Sequence, residues 1–169
     1  QTLETVFAQT FTGFEVILVN DGSPDSDELE TALGPFFDRI VYARQDNFGA
    51  SLARNLAICL SKGELLAFLG GDDLWHPDFL ASQTEFLAKN NLDMVYCDAE
   101  LFGAELFKGD LYSWTSPSSG AVTTESLILS TCNVITSGTV LRKSELSRVN
   151  LFDAALPRMQ DFDLWYRLA

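Results

Sequence analysis

Two adjacent carboxylates beside a glycine pair are the residues of this sequence best suited to chemistry. Asp72 and Asp73 follow the glycines at 70–71, and these follow the apolar run 65–69, which reads as a strand buried on both faces. In an open α/β sheet, ligands bind beyond the carboxyl ends of the strands. Neighbouring carboxylates repel each other and need a cation, a hydrogen-bond donor or water to stay ionised. The pattern fits a divalent-metal and phosphate site, or a polar turn that caps the helix after Pro77.

Further polar residues follow other apolar runs in the same way. Asp21 comes after the apolar run 14–19, in a turn-rich loop where it can reach a ligand or close an Asx-turn. Asn47 lies in a second loop, residues 44–49, which we expect on the same edge of the sheet. Arg54 is near the start of the following helix, where it can face an anion at the helix N-terminus or lie solvated on the surface.

The elements that must position these residues alternate between strand and helix. Period and composition predict strands at 14–19, 39–43, 65–69 and 93–98, with helices at 27–37, 50–61 and 77–90 between them. This alternation predicts βαβ crossovers, an α/β fold and a mostly parallel sheet. It breaks at residues 101–121, an irregular segment expected to cover the crevice. Beyond it we predict a short helix at 124–130, a strand at 137–142, a helix at 143–149 and a last helix from Asp161.

Composition limits the classes of function. A chain of 169 residues with 47% hydrophobic residues is about one globular domain, and no apolar run is long enough to span a membrane. A net charge of −13 argues against nucleic-acid binding, which needs clustered Lys and Arg. The cysteines Cys59, Cys97 and Cys132 are widely spaced and odd in number, which favours reduced thiols. We therefore expect a cytoplasmic protein, with association at the inner face of the membrane left open.

Four motifs in one order resemble a known family. They occupy residues 15–25, 47–49 with 53–55, 63–78, and 161–167. Together they resemble the bacterial family 2 glycosyltransferases, which build polysaccharides and have the GT-A nucleotide-diphospho-sugar fold. The match covers essentially the whole chain. The resemblance implies a Rossmann-like, three-layer α/β/α domain with a mostly parallel sheet flanked by helices.

The resemblance also implies which residues bind the donor. Asp21 looks like the acidic residue that contacts the nucleotide base or ribose, and Asn47 belongs to a motif expected at the same nucleotide. Arg54 matches a basic residue near the nucleotide. Asp72 looks like the last Asp of an Asp-x-Asp motif that holds the metal on the sugar-nucleotide diphosphate. The implied donor is a nucleotide-diphospho-sugar, which we expect to be UDP-linked. The implied acceptor is a hydroxyl of a glycan, a lipid-linked sugar or another molecule.

The implied reaction is a hexosyl transfer with inversion in one displacement. Asp161 matches the catalytic base of a motif that ends in Leu-Trp-x-Arg, with Asp163 as the reserve candidate. A carboxylate is suited to this role because an acceptor hydroxyl is a poor nucleophile at neutral pH until its proton is taken. Mg²⁺ or Mn²⁺, with Asp72 and Asp73 as candidate ligands, is suited to the charge that grows on the departing diphosphate.

Departures from the family pattern support a second hypothesis. Gly70 stands where the family usually has Asp, and Gln160 replaces an acid that often precedes the base. The alternative is therefore a degenerate GT-A domain that binds nucleotide or glycan without turnover. A Rossmann oxidoreductase ranks lower still, because no Gly-x-Gly-x-x-Gly follows a strand.

The ends of the chain lead to one further expectation. We interpret residues 1–169 as a single GT-A domain that is a fragment, lacking its first strand and its C-terminal part. The first strand of a doubly wound sheet usually lies centrally, so it should pair next to residues 14–19.

Overall fold

The computed structural model describes residues 1–103 and 108–169. The helices are α1 (Thr2–Phe7), α2 (Ser26–Leu33), α3 (Ala50–Leu60), α4 (Phe79–Lys89), α5 (Tyr112–Thr115), α6 (Thr124–Ile128), α7 (Lys143–Arg148) and α8 (Gln160–Leu168). The strands are β1 (Val16–Asp21), β2 (Ile40–Gln45), β3 (Leu65–Ala67), β4 (Met94–Tyr96) and β5 (Thr139–Arg142). Two 3₁₀ segments, Gly34–Arg39 and Thr136–Gly138, precede β2 and β5.

The predicted elements are present, and several of their bounds differ from the prediction. The α-helical part of α2 ends at Leu33, because Gly34 and Pro35 lead into a 3₁₀ segment. β1 continues to Asp21 and β2 to Gln45, so the loops that follow them are shorter than expected. The irregular segment predicted at 101–121 contains only the short α5 among its described residues, and residues 104–107 of that prediction lie outside them.

Strand directions confirm the α/β class and add one reversal. β1 and β2 are parallel, in register from the Val16–Ile40 pair to the Asp21–Gln45 pair. β5 lies between β3 and β4 and runs antiparallel to both, so those two strands still point the same way. β5 is the antiparallel strand of this arrangement, and its amino end lies beside the carboxyl ends of β3 and β4.

Strand β3, at an edge of the three-stranded sheet among the described residues, is shorter and more exposed than its sequence indicates. It covers residues 65–67 instead of 65–69, and all three residues are half-buried. Within residues 1–103 and 108–169, β3 pairs with β5 alone and β1 with β2 alone, which gives two separate sheets. The expected upstream strand next to β1 stays a prediction.

Two apolar clusters cover the two faces of the three-stranded sheet. Leu141 of β5 packs with α3, α6, α7 and α8 on one face, through a cluster centred on Leu146 and Trp165. The adjacent Val140 packs with α4 on the other face. Because successive side chains of a strand point to opposite faces, these clusters are the two sides of a three-layer α/β/α arrangement. Helices packed on both faces of this sheet therefore fix the positions of the polar loops at its edge.

Candidate active site

Asp21, the last residue of β1, uses its carboxylate to organise the neighbouring loop. Its Oδ1 accepts hydrogen bonds from Gln45 Nε2 at 2.7 Å and from the Phe48 backbone N–H at 2.9 Å. Its Oδ2 accepts from the Gly49 N–H at 2.9 Å. A carboxylate has about four acceptor positions. Asp21 therefore has room for about one further donor, such as a ribose hydroxyl.

The loops after β1 and β2 approach each other closely at one glycine. Gly22 has a φ of +66°, and a Cβ built there would lie 2.6 Å from the Asn47 backbone nitrogen. No L-residue side chain fits this crossing. The side chain of Asn47 is exposed at the rim, beside the loop that Asp21 holds.

Arg54, on α3, faces inward toward the last helix. Its guanidinium lies 5.3 Å from the ring centroid of Phe152. Burial lowers the pKa of Arg54, and the negative charge of Asp161 opposes that shift. Among the described residues, the guanidinium has no hydrogen bond or ion pair with a protein group. Arg54 is a half-buried cation whose donors remain available to an anionic ligand.

The acidic turn, residues 70–73, brings its two carboxylates together over Gly70. A Cβ built on Gly70 would lie 2.9 Å from Asp72 Oδ1 and 2.9 Å from Asp73 Oδ2. The Asp73 N–H donates to the Gly70 carbonyl oxygen at 3.3 Å, which closes the turn. The missing side chain of Gly70 thus provides the space into which both acids point.

The segment Thr136–Gly138, here called the hydroxyl turn, connects the acidic turn to α8. Ser137 Oγ donates to Asp73 Oδ2 at 2.5 Å and accepts the Gly70 N–H at 3.0 Å. Thr136 Oγ1 donates to Asp161 Oδ2 at 3.3 Å. The two hydroxyls were not predicted as site residues, because the direction of β5 was not predicted and only an antiparallel β5 brings its amino end to this edge of the sheet. The small polar residues at 136–138, directly before an apolar strand, are the signal that would have found them.

Asp161 is the second residue of α8 and is half-buried at the crevice. Its Oδ2 accepts from Thr136, and its Oδ1 accepts the Phe162 N–H at 2.9 Å. The residue before the helix, Met159, is in the left-handed region with φ 60°. Such strain in a non-glycine residue costs about 1–3 kcal/mol and is concentrated at functional sites.

Asp163, the reserve candidate for the base, has a structural partner. Its Oδ2 accepts from Arg167 Nη2 at 2.7 Å and from Arg167 Nε at 2.9 Å. The same guanidinium donates to the carbonyl oxygens of Val149 and Leu151. Asp163 therefore holds the loop before α8, while the carboxylate of Asp161 faces the site.

The acidic turn is chemically suited to a hard divalent cation because its side chains offer carboxylate oxygens as ligands. Mg²⁺ is commonly held by one or two carboxylates together with substrate phosphates and water. Asp72 and Asp73 supply two carboxylates that converge on one point. No cluster of three or more His, Cys, Asp or Glu suited to a metal occurs among residues 1–103 and 108–169. The remaining ligands would have to come from a bound diphosphate and from water.

Comparison with known proteins places this geometry in a family. A family model described as Glycosyl transferase family 2 matches residues 1–148. The chain belongs to glycosyltransferase family 2. Membership confirms the family resemblance, and the match includes three of the four motifs, while residues 161–167 lie beyond it. The roles of Asp72, Asp73, Arg54 and Asp161 stay predictions.

Relatives of this family 2 domain are bacterial and longer than the chain. An uncharacterized glycosyltransferase of Rickettsia bellii is 30% identical over 99% of this chain, which spans 25% of that protein. One from Rickettsia typhi is 32% identical over 99% of this chain and 53% of its own length. The succinoglycan biosynthesis protein ExoW of Rhizobium meliloti is 33% identical over 66% of this chain and 34% of its own length.

Solved structures confirm the GT-A fold. The S. aureus protein TarS, as residues 1–349 in complex with UDP-GlcNAc, superposes with a TM-score of 0.73 over 99% of this chain and 48% of that TarS fragment, at 18% identity. The complex of TarS with UDP gives a TM-score of 0.72 at 18% identity. No helix among the described residues has the length and apolarity to cross a membrane.

Proposed function

We propose that this domain transfers a hexose from a UDP-linked sugar to an acceptor hydroxyl, with inversion at the anomeric carbon. One observation carries the proposal: neighbouring hydroxyls of the hydroxyl turn contact Asp73 and Asp161. The acids suited to a metal-diphosphate and the acid suited to proton abstraction therefore belong to one site. A single displacement requires both functions in one site, because the nucleophile attacks the sugar on the side opposite to the leaving group.

Each residue has a separate role in this proposal. Asp161 accepts the proton of the acceptor hydroxyl as that oxygen attacks, which is typically worth about 10²–10⁴ in rate. Arg54 interacts with the nucleotide as a half-buried cation. Asp72 and Asp73 would hold Mg²⁺ or Mn²⁺, which when bound supplies positive charge to the diphosphate that leaves.

The loop around Asp21 would hold the nucleoside. Asp21 keeps about one free acceptor position, and Asn47 is exposed beside it. A UDP donor is supported by the UDP and UDP-GlcNAc complexes of TarS, which shares the fold. We infer a cytoplasmic site from the three free cysteines, which favour a reducing compartment. The acceptor is a glycan, lipid-linked or other hydroxyl, as in polysaccharide biosynthesis, with which the name of ExoW agrees.

A domain that binds nucleotide without turnover is the second candidate. The observation in its favour is that only two carboxylates converge at Gly70, since no cluster of three metal-type ligands occurs in the described part of the chain. Such a domain would bind UDP and release no sugar.

A thermal-shift screen of the full chain, followed by a turnover assay, separates the two candidates. UDP and UDP-sugars are tested with and without Mn²⁺ against matched ADP and GDP compounds. The proposed function predicts a Mn²⁺-dependent rise in melting temperature with uridine compounds, and release of UDP from one UDP-sugar. A rise with UDP but no release from any UDP-sugar, with glycan and lipid-linked acceptors present, would favour the non-catalytic domain.

A further inference from the structure

We propose that Thr136 and Ser137 are positioning residues, each fixing one of the two acidic groups for a separate stage of the reaction. Thr136 orients the base Asp161, and Ser137 orients Asp73 and the acidic turn. This inference rests on the proposed function and adds two residues that act through their hydrogen bonds to the acids. The sequence motifs of the family resemblance contain neither of them.

The hydroxyl turn can act as a fixed support because Cys97 and Trp75 both hold its backbone. The Cys97 N–H at the end of β4 donates to the Gly138 carbonyl oxygen at 3.0 Å. Trp75 Nε1 donates to the Ser137 carbonyl oxygen at 2.7 Å. A Cβ built on Gly138 would lie 3.0 Å from the Cys97 carbonyl oxygen, so glycine permits this close approach. These anchors leave the two side-chain hydroxyls free for the acids.

The Ser137 hydroxyl fixes the acidic turn at two points. It donates to Asp73 Oδ2 and accepts the N–H of Gly70, the residue over which the carboxylates converge. With Ser137 bound, Asp73 has one oxygen committed, while Asp72 has no side-chain hydrogen bond among the described residues. Loss of Ser137 would therefore release the turn that presents Asp72 and would act on metal-dependent donor binding.

The Thr136 hydroxyl acts on the other acid. It donates to Oδ2 of Asp161, and the Phe162 N–H occupies Oδ1. Together these two donors fix the rotation of the carboxylate about its side chain. Loss of the Thr136 hydroxyl would let the carboxylate rotate away from the acceptor, which lowers the rate of the chemical step without changing donor binding.

The test is a split between binding and turnover in the full chain. Thr136→Val should lower kcat about tenfold, which is the size expected for the loss of one hydrogen bond to a charged group. The KM for the UDP-sugar should stay within about twofold of wild type. Thr136→Ser, which restores the hydroxyl, should recover kcat to within about threefold of wild type. Ser137→Ala should lower the affinity for UDP about tenfold in the presence of Mn²⁺. Without Mn²⁺ its affinity should stay within about twofold of wild type. Calorimetry with UDP, which involves no turnover, measures both values.

Two controls remove hydroxyls that bond only to their own helix. Thr31→Val and Ser147→Ala, whose hydroxyls donate to Asp27 and Lys143 carbonyl oxygens, should leave both measurements unchanged. The inference is wrong if the hydroxyl-turn variants stay within about twofold of an active wild type in both measurements, or if Thr136→Ser fails to recover kcat. A wild type that neither binds UDP nor releases it would instead show that the proposed function itself has failed, and the inference with it.

Discussion

Two aspartates that follow apolar strands in the same way have opposite surroundings in the fold. Three donors of its own chain occupy the carboxylate of Asp21, at the end of β1. Asp72, beyond the end of β3, has its carboxylate directed over Gly70, without a side-chain hydrogen bond among the described residues. The position after a strand therefore does not define the role of an acid. The number of donors that the chain supplies to it does.

This difference suggests a division of work along the crevice. At the β1–β2 end, an acid builds the loop that would receive the nucleoside. At the β3–β5 end, acids would remain available for charge stabilisation and proton transfer under the proposed function. Substitutions at the first end should therefore act mainly on stability, and substitutions at the second end mainly on binding and rate.

The largest effect is expected at Asp161. Asp161→Asn should lower transfer by about 10²–10⁴, because the amide cannot take the proton of the acceptor. UDP binding and the melting temperature should change little, since the amide oxygen can still accept the Phe162 N–H and the amide N–H₂ can donate to the Thr136 hydroxyl oxygen. Initial rates at saturating donor, with calorimetry for UDP, measure both. Transfer within about tenfold of wild type would contradict the role of Asp161 as the base. Asp163→Asn is the comparison, and it should act on stability through the loss of its ion pair with Arg167.

A smaller effect is expected at Gly70. Gly70→Ala places a Cβ in the space shared by the two carboxylates, 2.9 Å from an oxygen of each. The carboxylates are the mobile ends of side chains, so we expect the fold to persist and the metal-dependent part of UDP affinity to fall about tenfold. Gly71→Ala is the matched control, because nothing lies within 4 Å of its Cβ. Equal metal dependence in the two variants would show that the convergence over Gly70 has no role. Gly70→Asp would add a third carboxylate, but its Cβ would occupy the same space between the carboxylates of Asp72 and Asp73.

The smallest effect on activity, and the clearest one on stability, is expected at Asp21. Asp21→Asn keeps the shape of the side chain but turns an amide N–H₂ toward backbone or Gln45 donors. Hydrogen bonds to a charged group contribute about 1.5–3 kcal/mol, so the melting temperature should fall by about 3–10 °C. Asp46→Asn, an exposed acid in the adjacent loop, should leave it unchanged. A variant of Asp21 as stable as that control would mean that the acid does not organise the loop.

Much of the fold could be predicted from the sequence because local patterns determined it. The apolar stripe of α3 and the alternation of strands with helices gave the α/β class and the parallel β1–β2 pair. The direction of β5 could not be predicted in this way, because a short apolar strand carries no local signal of its orientation. That one reversal brings Thr136 and Ser137 to the site.

The site could be predicted only in part for a related reason. Motifs predicted Asp72, Asp161 and Arg54 as site residues from their type and their order along the chain. The sequence did not reveal that Asp73 is held by Ser137, or that the Asp21 carboxylate is largely satisfied by its own chain. Both facts depend on contacts between residues more than 20 positions apart, which follow from packing.

The central claim concerns the two strand-end aspartates, and one measurement tests it most directly. Calorimetry of UDP binding with and without Mn²⁺ compares the full chain with Asp72→Ala, Asp73→Ala and Asp21→Asn. We expect Mn²⁺ to strengthen UDP binding to wild type, Asp72→Ala to abolish that gain, and Asp73→Ala to reduce it less, since Ser137 already occupies one of its oxygens. Asp21→Asn should weaken UDP binding by the same factor with and without Mn²⁺. Wild-type binding that is indifferent to Mn²⁺, or a loss of the metal effect in Asp21→Asn alone, would contradict the account.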